Sequence, residues 1–461
     1  MRIKKIEIQN FRAFYGNFEI ELGGKNLLLY GENGSGKSSL FYALKLFLES
    51  ANAKTEFSEY RNIFIKHDDD GFVKLTIGKN AYEWLPAKFP DAPIILDANK
   101  TKGFLDYKSL LETHFLHRKQ EDKSINLFHL LVENLLANYT ESSSGRTIGD
   151  IWRGVQEKSK AKKSTNIYKK EYPEELRLMN DVLQTALANL TGKTNELLDF
   201  FDYQVMCKFS SSIDLESISL DVKFFDRSIP SHHDFLNEAR LSAIALSIYF
   251  ASLLEQPKSD LRILALDDVL IGLDMANRLP VIDILEKHFS EHQIFFITHD
   301  KLWFDMMKMR TEANRAWKWK YAEFYCPNDI QSPILPIDYE NDLERANKYL
   351  SNGDYKAAAV YARTAFEIML KNFCDKKKLS VRYCKDSKKL QSEDFWQAVR
   401  NFDGLTPELI SNVELYRAVV LNPLSHSRIV DITKNEVIKA IEAIEKLEHT
   451  LDKLKNDKKS Q

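Results

Sequence analysis

The residues with the plainest chemistry stand between positions 31 and 38. Gly31-Glu-Asn-Gly-Ser-Gly36-Lys37-Ser38 satisfies the spacing G-x-x-x-x-G-K-[ST]. Glycines so placed let backbone N–H groups wrap phosphate oxygens at a helix N-terminus. Lys37 then reaches the β and γ phosphates of ATP, and Ser38 gives an oxygen to Mg²⁺. A second set closes an apolar run, Leu264-Ala-Leu-Asp267-Asp268. There Asp267 would enter the Mg²⁺ shell, and Asp268 would take the place of a water-polarising carboxylate. Many buried strands end in Asp, so this pair gains its meaning from its neighbours in the chain. Gly272-Leu273-Asp274 comes directly after it, and Thr298-His299-Asp300 closes the next apolar run. Alone, a histidine after a strand is a structural residue; behind a P-loop and a carboxylate strand, His299 is placed to sense the γ-phosphate.

These groups need strands and helices to hold them, and the apolar patterning supplies both. Ile6 and Ile8, then Phe18, Ile20 and Leu22, alternate as half-buried strands do. Asn26 to Tyr30 is a continuous apolar run ending at Gly31, as expected of a strand covered on both faces, and a helical pattern begins at Leu40. Residues 50–210 read as an irregular insertion: strands at Val73–Ile77 and Ile94–Leu96, a helix over Tyr107–Asn138, a loop at 142–145 and a lysine-rich stretch over 157–170. The insertion is too short and too weakly heptad-like for a long coiled-coil arm. Order returns at Ile218–Phe224, an alternating strand. A helix over Asn237–Glu255, a buried strand at Ile263–Leu266, a helix over Ala276–Phe289 and a buried strand at Ile294–Ile297 come next. Strands alternating with helices predict a mostly parallel sheet in a layered α/β domain. Three prolines between Pro327 and Pro336 mark a linker over 327–338, and residues 339–461 read as a separate all-α domain.

Composition narrows the setting without deciding it. Charged residues make up 29% and apolar ones 44%, ordinary for a globular protein, and 461 residues allow two or three domains. Basic and acidic residues number 65 and 67, so nucleic acid could be met only through local patches. Lys158, Lys160, Lys162, Lys163, Lys169 and Lys170 around Tyr168 form such a patch; they read either as a phosphate grip or as a solvated loop. The cysteines, Cys207, Cys326, Cys374 and Cys384, form no CxxC pair, which argues against a zinc site or disulfide scaffold and fits a reducing cytosol. The N-terminus carries no signal-peptide pattern. The longest apolar run, Ala243–Leu254, is too short to span a bilayer, so a cytoplasmic protein without membrane contact is expected.

In order and spacing, Phe11-Arg12, the Gly31–Ser38 loop, Asp267-Asp268, Leu273-Asp274 and Thr298-His299 resemble the ABC-type heads of the SMC, RecF and OLD-like ATPases over residues 1–326. The resemblance implies an ABC-type P-loop NTPase head that pairs with a second head, as a homodimer or higher oligomer, to sandwich ATP and Mg²⁺. It implies nucleotide contacts from Arg12, Gly31, Asn33, Gly34, Ser35, Gly36, Lys37, Ser38 and Ser39, metal contacts from Ser38 and Asp267, and catalysis by Asp268 and His299. It also implies a D-loop residue at Asp274 and a signature segment at Leu236-Asn-Glu-Ala-Arg240, whose Asn237 and Arg240 would serve the partner's nucleotide. Two departures matter. Asn237 stands for the usual serine and both signature glycines are missing, although asparagine can still cap a helix and donate to phosphate. Asp268 stands for the usual glutamate, and its shorter reach predicts slow turnover, suited to a switch rather than a motor. Asp106 is a guess for the Q-loop residue.

In the tail, Arg363 and Glu367 lie four apart on one helix face. Leu421-Asn422-Pro423-Leu424-Ser425-His426 ends a second helix, with Asn422 and His426 four apart and Pro423 at a turn. Taken alone, the first is an ordinary i,i+4 ion pair. Together, the two motifs behind an ABC-type head resemble HEPN ribonucleases, including the PrrC and RloC anticodon nucleases. That resemblance implies metal-independent RNA cleavage of a tRNA-like substrate by Arg363, Glu367 and His426, with Asn422 in support. Leu421 departs from the arginine often found there. Three readings stay open: an ATP-controlled ribonuclease in anti-phage defence, a sensor or scaffold that holds a separate effector or trigger protein, and a RecF-like DNA-repair factor.

Overall fold

A computed structural model describes all residues except 54, 67–69, 115–126, 142–144, 213–216, 230–231, 315, 327–341, 352, 383–390, 422–433 and 457–461. It forms two compact units, Met1–Pro336 and Ile337–Gln461.

The first unit is built on three sheets. Strands β1 (Ile3–Gln9), β2 (Asn17–Glu21), β4 (Phe72–Ile77) and β5 (Asn80–Trp84) pair antiparallel in the order β2-β1-β4-β5. The central sheet is wholly parallel. It comprises β3 (Asn26–Gly31), β6 (Gly103–Asp106), β10 (Ile263–Asp267), β11 (Gln293–Thr298) and β12 (Trp319–Phe324), ordered β12-β3-β11-β10-β6. A third, antiparallel sheet orders β7 (Val205–Ser211), β8 (Ile218–Phe224) and β9 (Arg227–Ile229).

The apolar runs of β3, β10 and β11 at the middle of the sheet are unbroken because both faces are covered. Leu28, Leu264, Leu266, Ile294 and Phe296 join the core that includes Leu183 and Leu187 of helix α5 (Tyr172–Leu198), Ile244 and Ile248 of α7 (Glu238–Leu254) and Ile282 and Leu285 of α8 (Met275–His288). Their odd-numbered neighbours Leu27, Leu29, Ile263, Ala265, Phe295 and Ile297 join the opposite core with Leu40, Phe41 and Phe47 of α1 (Lys37–Ala53) and Ile6, Ile8 and Val73 of the antiparallel sheet. Side-chain alternation along each strand thus divides one sheet between two cores.

Several expectations need correction. Ile94–Leu96 lies in helix α2 (Pro93–Thr101), not in a strand: Pro93 opens the first turn, and Ile95 and Ala98 are buried three apart. Three apolar residues in a row cannot tell strand from buried helix. The helix expected over 107–138 is α3 (Tyr107–His114) and a π-helical segment His129–Leu135, with residues 115–126 outside the described set. The stretch 50–210 is not all insertion, since β4, β5 and β6 complete sheets of the head. Nor is it irregular, because α5 runs for 27 residues. The lysine-rich stretch is the end of α4 (Ile148–Ser159), a turn and the π-helical Ile167–Glu171; five of its lysines are exposed, and Lys158 pairs with Glu175 at 2.8 Å.

Between the third sheet and α7 lies the short α6 (His232–Phe235), and α9 (Lys301–Ala313) leads from β11 to β12. The expected linker over 327–338 falls outside the described residues. The second unit packs α10 (Asp342–Ser351), α11 (Tyr355–Lys377), α12 (Ser392–Arg400), α13 (Pro407–Tyr416) and α14 (Lys434–Asn456) around Phe366, Leu370, Trp396, Ile441 and Leu447. A π-helical turn, Arg417–Leu421, extends α13. Among the described residues no strand occurs in this unit. None of the described helices in the chain is long and apolar enough to cross a membrane.

Candidate nucleotide site

The P-loop leaves the C-terminal end of β3 and turns into α1, with Gly34 (φ 85°) and Gly36 (φ 92°) in the conformation that glycine alone adopts cheaply. Gly31 is fixed by crowding: a Cβ there would collide with Ser35 Oγ and lie 2.8 Å from Lys37 Cγ. The Lys37 ammonium folds back and donates to Glu32 O at 2.9 Å, a contact within the loop that a phosphate would displace. Burial lowers the Lys37 pKa, against the pull of Asp268, Asp267 and Cys326.

Strand register brings the acids to the loop. Asp267 ends β10, and its Oδ2 accepts from Ser38 Oγ at 2.7 Å. Its Oδ1 is buried without a partner among the described residues. Burial pushes the Asp267 carboxyl up to about 6, aided by the charge of Asp268, while the Ser38 bond and the charge of Lys37 pull it down. A buried carboxylate with one open oxygen beside a serine hydroxyl is the oxygen donor set that Mg²⁺ takes, and a cation there would hold Asp267 ionised. Asp268 carries a positive φ of 54°, strained for a non-glycine residue, and its N–H donates to Ile297 O on the neighbouring strand. Its Oδ1 accepts from the His299 backbone N at 2.8 Å and meets His299 Nδ1 at 2.8 Å. The strained carboxylate and the histidine at the end of β11 therefore form one pinned pair.

A family model described as AAA ATPase domain matches residues 1–461. The chain belongs to the AAA ATPase domain family. A 47-residue stretch of this AAA ATPase is 47% identical to Arcadin-4 of Pyrobaculum calidifontis; it is 10% of this chain and 6% of that protein. The chain therefore spans a small part of that relative's length. Similar solved structures include an Smc head domain with an extended coiled coil bound to the C-terminal domain of ScpA, from Pyrococcus furiosus (15% identity, 76% of this chain and 99% of that chain, TM-score 0.46). Another is the SMC head domain from Thermotoga maritima (15% identity, 74% of this chain and 100% of that chain, TM-score 0.39).

The remaining expected residues of this AAA ATPase fall around that centre or at its edge. Arg12, also at positive φ (48°), is anchored through its backbone to Tyr60 O and Asn62 Nδ2, and its guanidinium lies 4.2 Å from the Tyr42 ring centroid. Ser39 Oγ accepts from Ala13 N at 3.3 Å, tying this segment to α1. The Asn33 carbonyl accepts from the Cys326 thiol at 3.4 Å. Asp274 caps α8, accepting from Asn277 N at 3.0 Å, and Asn237 caps α7, accepting from Arg240 N at 3.0 Å. Arg240 stacks over Phe224 and Tyr203, 4.9 and 5.4 Å from their centroids, with its Nε buried and without a partner among the described residues. Gly272 sits where a Cβ would be 2.5 Å from Ser242 Oγ, so the segment after Asp268 is pressed against α7.

Three side chains of this neighbourhood carried no clear sequence signal. Asp106 ends β6 directly opposite Asp267; it caps α3 through Ser109 N at 2.8 Å and accepts from Tyr42 OH at 3.3 Å. Tyr42 stands within the helical pattern that begins at Leu40, where nothing in the sequence sets it apart. Arg278 donates to Asp300 at 2.6 Å and to Leu273 O at 2.8 Å, linking the segments after β10 and β11.

In the second unit Arg363 Nε and Glu367 Oε1 are 3.0 Å apart along α11, both half-buried. His426 and Asn422 lie outside the described residues. Sequence reasoning missed Arg417, immediately before that segment. It is buried, bonded to Glu393 at 2.6 Å and set over Phe366 and Trp396.

Proposed function

We propose that the first unit binds ATP with Mg²⁺ and hydrolyses it slowly, as an SMC/RecF-like switch. The observation that carries this is the convergence of Lys37, Ser38, Asp267, Asp268 and His299 on the ends of three adjacent parallel strands. Lys37 would leave Glu32 O for the phosphates. Ser38 and Asp267 would hold the cation, whose contribution is charge neutralisation at the phosphates. Asp268, oriented by His299, would accept a proton from the attacking water. A carboxylate kept at positive φ by a backbone bond has little freedom to follow the water, in keeping with slow turnover. Asn237, Arg240 and Asp274 would meet the nucleotide of a second copy.

For the second unit, the reading with the most specific chemistry is a HEPN-like, metal-independent ribonuclease governed by the head, acting on a tRNA-like substrate in anti-phage defence. Its support is the all-α unit and the half-buried Arg363–Glu367 pair, with an Asn-x-x-x-His segment, Asn422 to His426, later in the same part of the chain. The closed pair equally serves a docking module, which would make the protein an ATP-driven sensor for a separate effector. Incubating the full-length protein with total tRNA, with and without ATP, and comparing it with His426→Ala separates the two. ATP-dependent cleavage lost in the variant supports the nuclease; absence of cleavage in both leaves the docking role.

A further inference from the structure

We infer that α5 is the seam of a nucleotide-independent dimer. Two copies of the chain lie antiparallel along this helix, and the basic end of each meets the acidic end of the other. The π-helical Ile167–Glu171 runs directly into α5, so the two form one long element. Among its exposed residues, which recur every three or four positions, are Lys170, Glu174, Asp181, Ala188, Glu196 and Asp199. That spacing keeps them on one side of the helix. The 27 residues of α5 make this face about 40 Å long.

The N-terminal end of this face is basic. Lys160, Lys162, Lys163, Lys169 and Lys170 are exposed, and none of them makes an ion pair among the described residues. The sixth lysine of the stretch, Lys158, is used inside the fold. It bonds the buried Glu175 at 2.8 Å, Arg146 bonds the same carboxylate, and Gly154 leaves no room for a side chain beside it. This brace ties α4 to α5, so the five free lysines stand on a fixed turn. Lys169 and Lys170 lie at the start of the long helix, where its dipole disfavours cations, so the helix gains nothing from their charge.

The other end is acidic. Past the last turn of α5, a cavity of about 350 Å³ is lined by Asp199, Asp202 and Asp226 with Met206 and Phe225, and no basic side chain is among its lining residues. The three carboxylates are exposed and make no ion pair among the described residues, whereas Lys193 is held by Glu196 at 2.5 Å. Met206 and Phe225 are 50% and 64% exposed, an apolar wall suited to the stem of a lysine whose ammonium reaches the carboxylates. Between the ends, Arg177 stands between Glu174 and Asp181 and leaves the middle near neutral. Parallel pairing would set like ends together, but antiparallel pairing joins unlike ends twice, as a two-fold contact does. Gly192 fits the same picture. Glycine is a poor helix former, and a Cβ there would meet nothing within 4 Å, so nothing in its own chain requires it; a second helix passing close gives it a use. A face one helix wide offers each copy roughly 400 Å² plus the two ends, small for a specific interface, and exposed ion pairs are screened, so the dimer is weak and salt-sensitive.

The test uses the full chain carrying Lys37→Ala, without nucleotide, so that pairing across ATP does not contribute. Sedimentation velocity at about 50 mM salt should show a monomer–dimer equilibrium with a Kd of ~10 µM, weakened about tenfold or more at about 300 mM salt. Lys169→Glu with Lys170→Glu, and separately Asp199→Lys with Asp202→Lys, should each abolish self-association. Mixing the two reversed proteins should restore a dimer, because each then offers the other two complementary ends, and that restoration shows both to be folded. Gly192→Gln adds bulk to the face without altering a charge, and should weaken the dimer about tenfold or more. Should circular dichroism show either reversed protein to be unfolded, Gly192→Gln decides alone. A wild-type face that stays monomeric at about 100 µM, or an association that neither the reversals nor Gly192→Gln moves, overturns the seam. So does a mixture of folded reversed proteins that fails to associate, and growth beyond a dimer overturns the antiparallel arrangement. A monomer whose lysines instead retain a short RNA duplex, lost in Lys169→Glu with Lys170→Glu, overturns the pairing and assigns the basic end to nucleic acid.

Discussion

Acid should act on the first unit in opposite directions through two buried groups, and single substitutions should expose each. The His292 ring packs against Phe289, 5.0 Å between centroids, and its pKa is lowered from 6.5 to about 4, chiefly by burial, with Arg262 and Arg2 reinforcing and Glu291 opposing. Its folded-state value lies below the unfolded one, so the unfolded chain binds the proton better. The stabilising contribution is therefore intact above the unfolded value and lost as pH falls from there towards 4. Between roughly pH 7.5 and roughly pH 4.5 the loss amounts to about 2.5 kcal/mol. Asp267 works the other way. Burial raises it from 3.8 to about 6, so the folded protein binds that proton better, and the same acidification returns about 2 kcal/mol. From these two groups the wild type should show little net change. His292→Gln should gain about 2.5 kcal/mol relative to wild type on acidification, and Asp267→Asn should lose about 2 kcal/mol. Urea unfolding of the three proteins at both pH values, free of nucleotide and divalent metal, measures this. Wild-type and His292→Gln curves that stay parallel across the range would refute the assignment of a buried, neutral His292.

The site and the tail make further outcomes measurable. Lys37→Ala should weaken ATP binding by roughly 10–150-fold, the worth of one charge-assisted hydrogen bond, in a direct titration; unchanged affinity would remove the P-loop assignment. Asp268→Ala should lower kcat by about 10²–10⁴-fold and accumulate an ATP-bound, associated form, seen by light scattering during turnover. Asn237→Ser keeps an oxygen that can cap α7 whereas Asn237→Ala does not, so a helix-capping role alone predicts a loss of about 1 kcal/mol in the alanine variant only. A role on the partner's nucleotide predicts in addition that mixing Asn237→Ala with Lys37→Ala protein leaves at most one working composite site. RNA cut by the tail should end in a 2′,3′-cyclic phosphate, persist in EDTA once activated and disappear in Arg363→Ala, whereas a metal-activated water would leave a plain 3′ end.

What the sequence disclosed and what it hid have physical causes. The P-loop was legible because its chemistry is local: glycines, lysine and serine act within eight consecutive residues, and a buried apolar run leads into them. Strands β3, β10 and β11 were legible because a sheet covered on both faces needs unbroken apolar runs. Strand β6 was not, since four residues, Gly103-Phe-Leu-Asp106, carry too little pattern to stand out. Strand β12 was hidden because at an edge of the sheet its sequence, Trp-Lys-Tyr-Ala-Glu-Phe, admits polar residues. Missing β6 also left Asp106, named for the Q-loop on sequence, without its place beside Asp267, which is a fact of strand register between segments far apart in the chain and cannot be read from either alone.

The same non-locality explains how the segments after β10 and β11 are held together. Asp268 is bonded by His299; Arg278, ten residues later on α8, is bonded to Asp300 and to Leu273 O; and Gly272 leaves no room for a side chain against Ser242 of α7. Under the proposed function, a movement of His299 on meeting or losing a γ-phosphate would carry Asp268 with it, and the ion pair between Arg278 and Asp300 would keep Leu273 in step. Because Gly272 abuts the N-terminal turns of α7, that displacement would be delivered to the helix capped by Asn237. Close packing passes a displacement on instead of absorbing it. A switch of the kind proposed needs such a path from the nucleotide to the helix capped by Asn237, and it would run through side chains of four residues, Asp268, His299, Asp300 and Arg278, and one glycine.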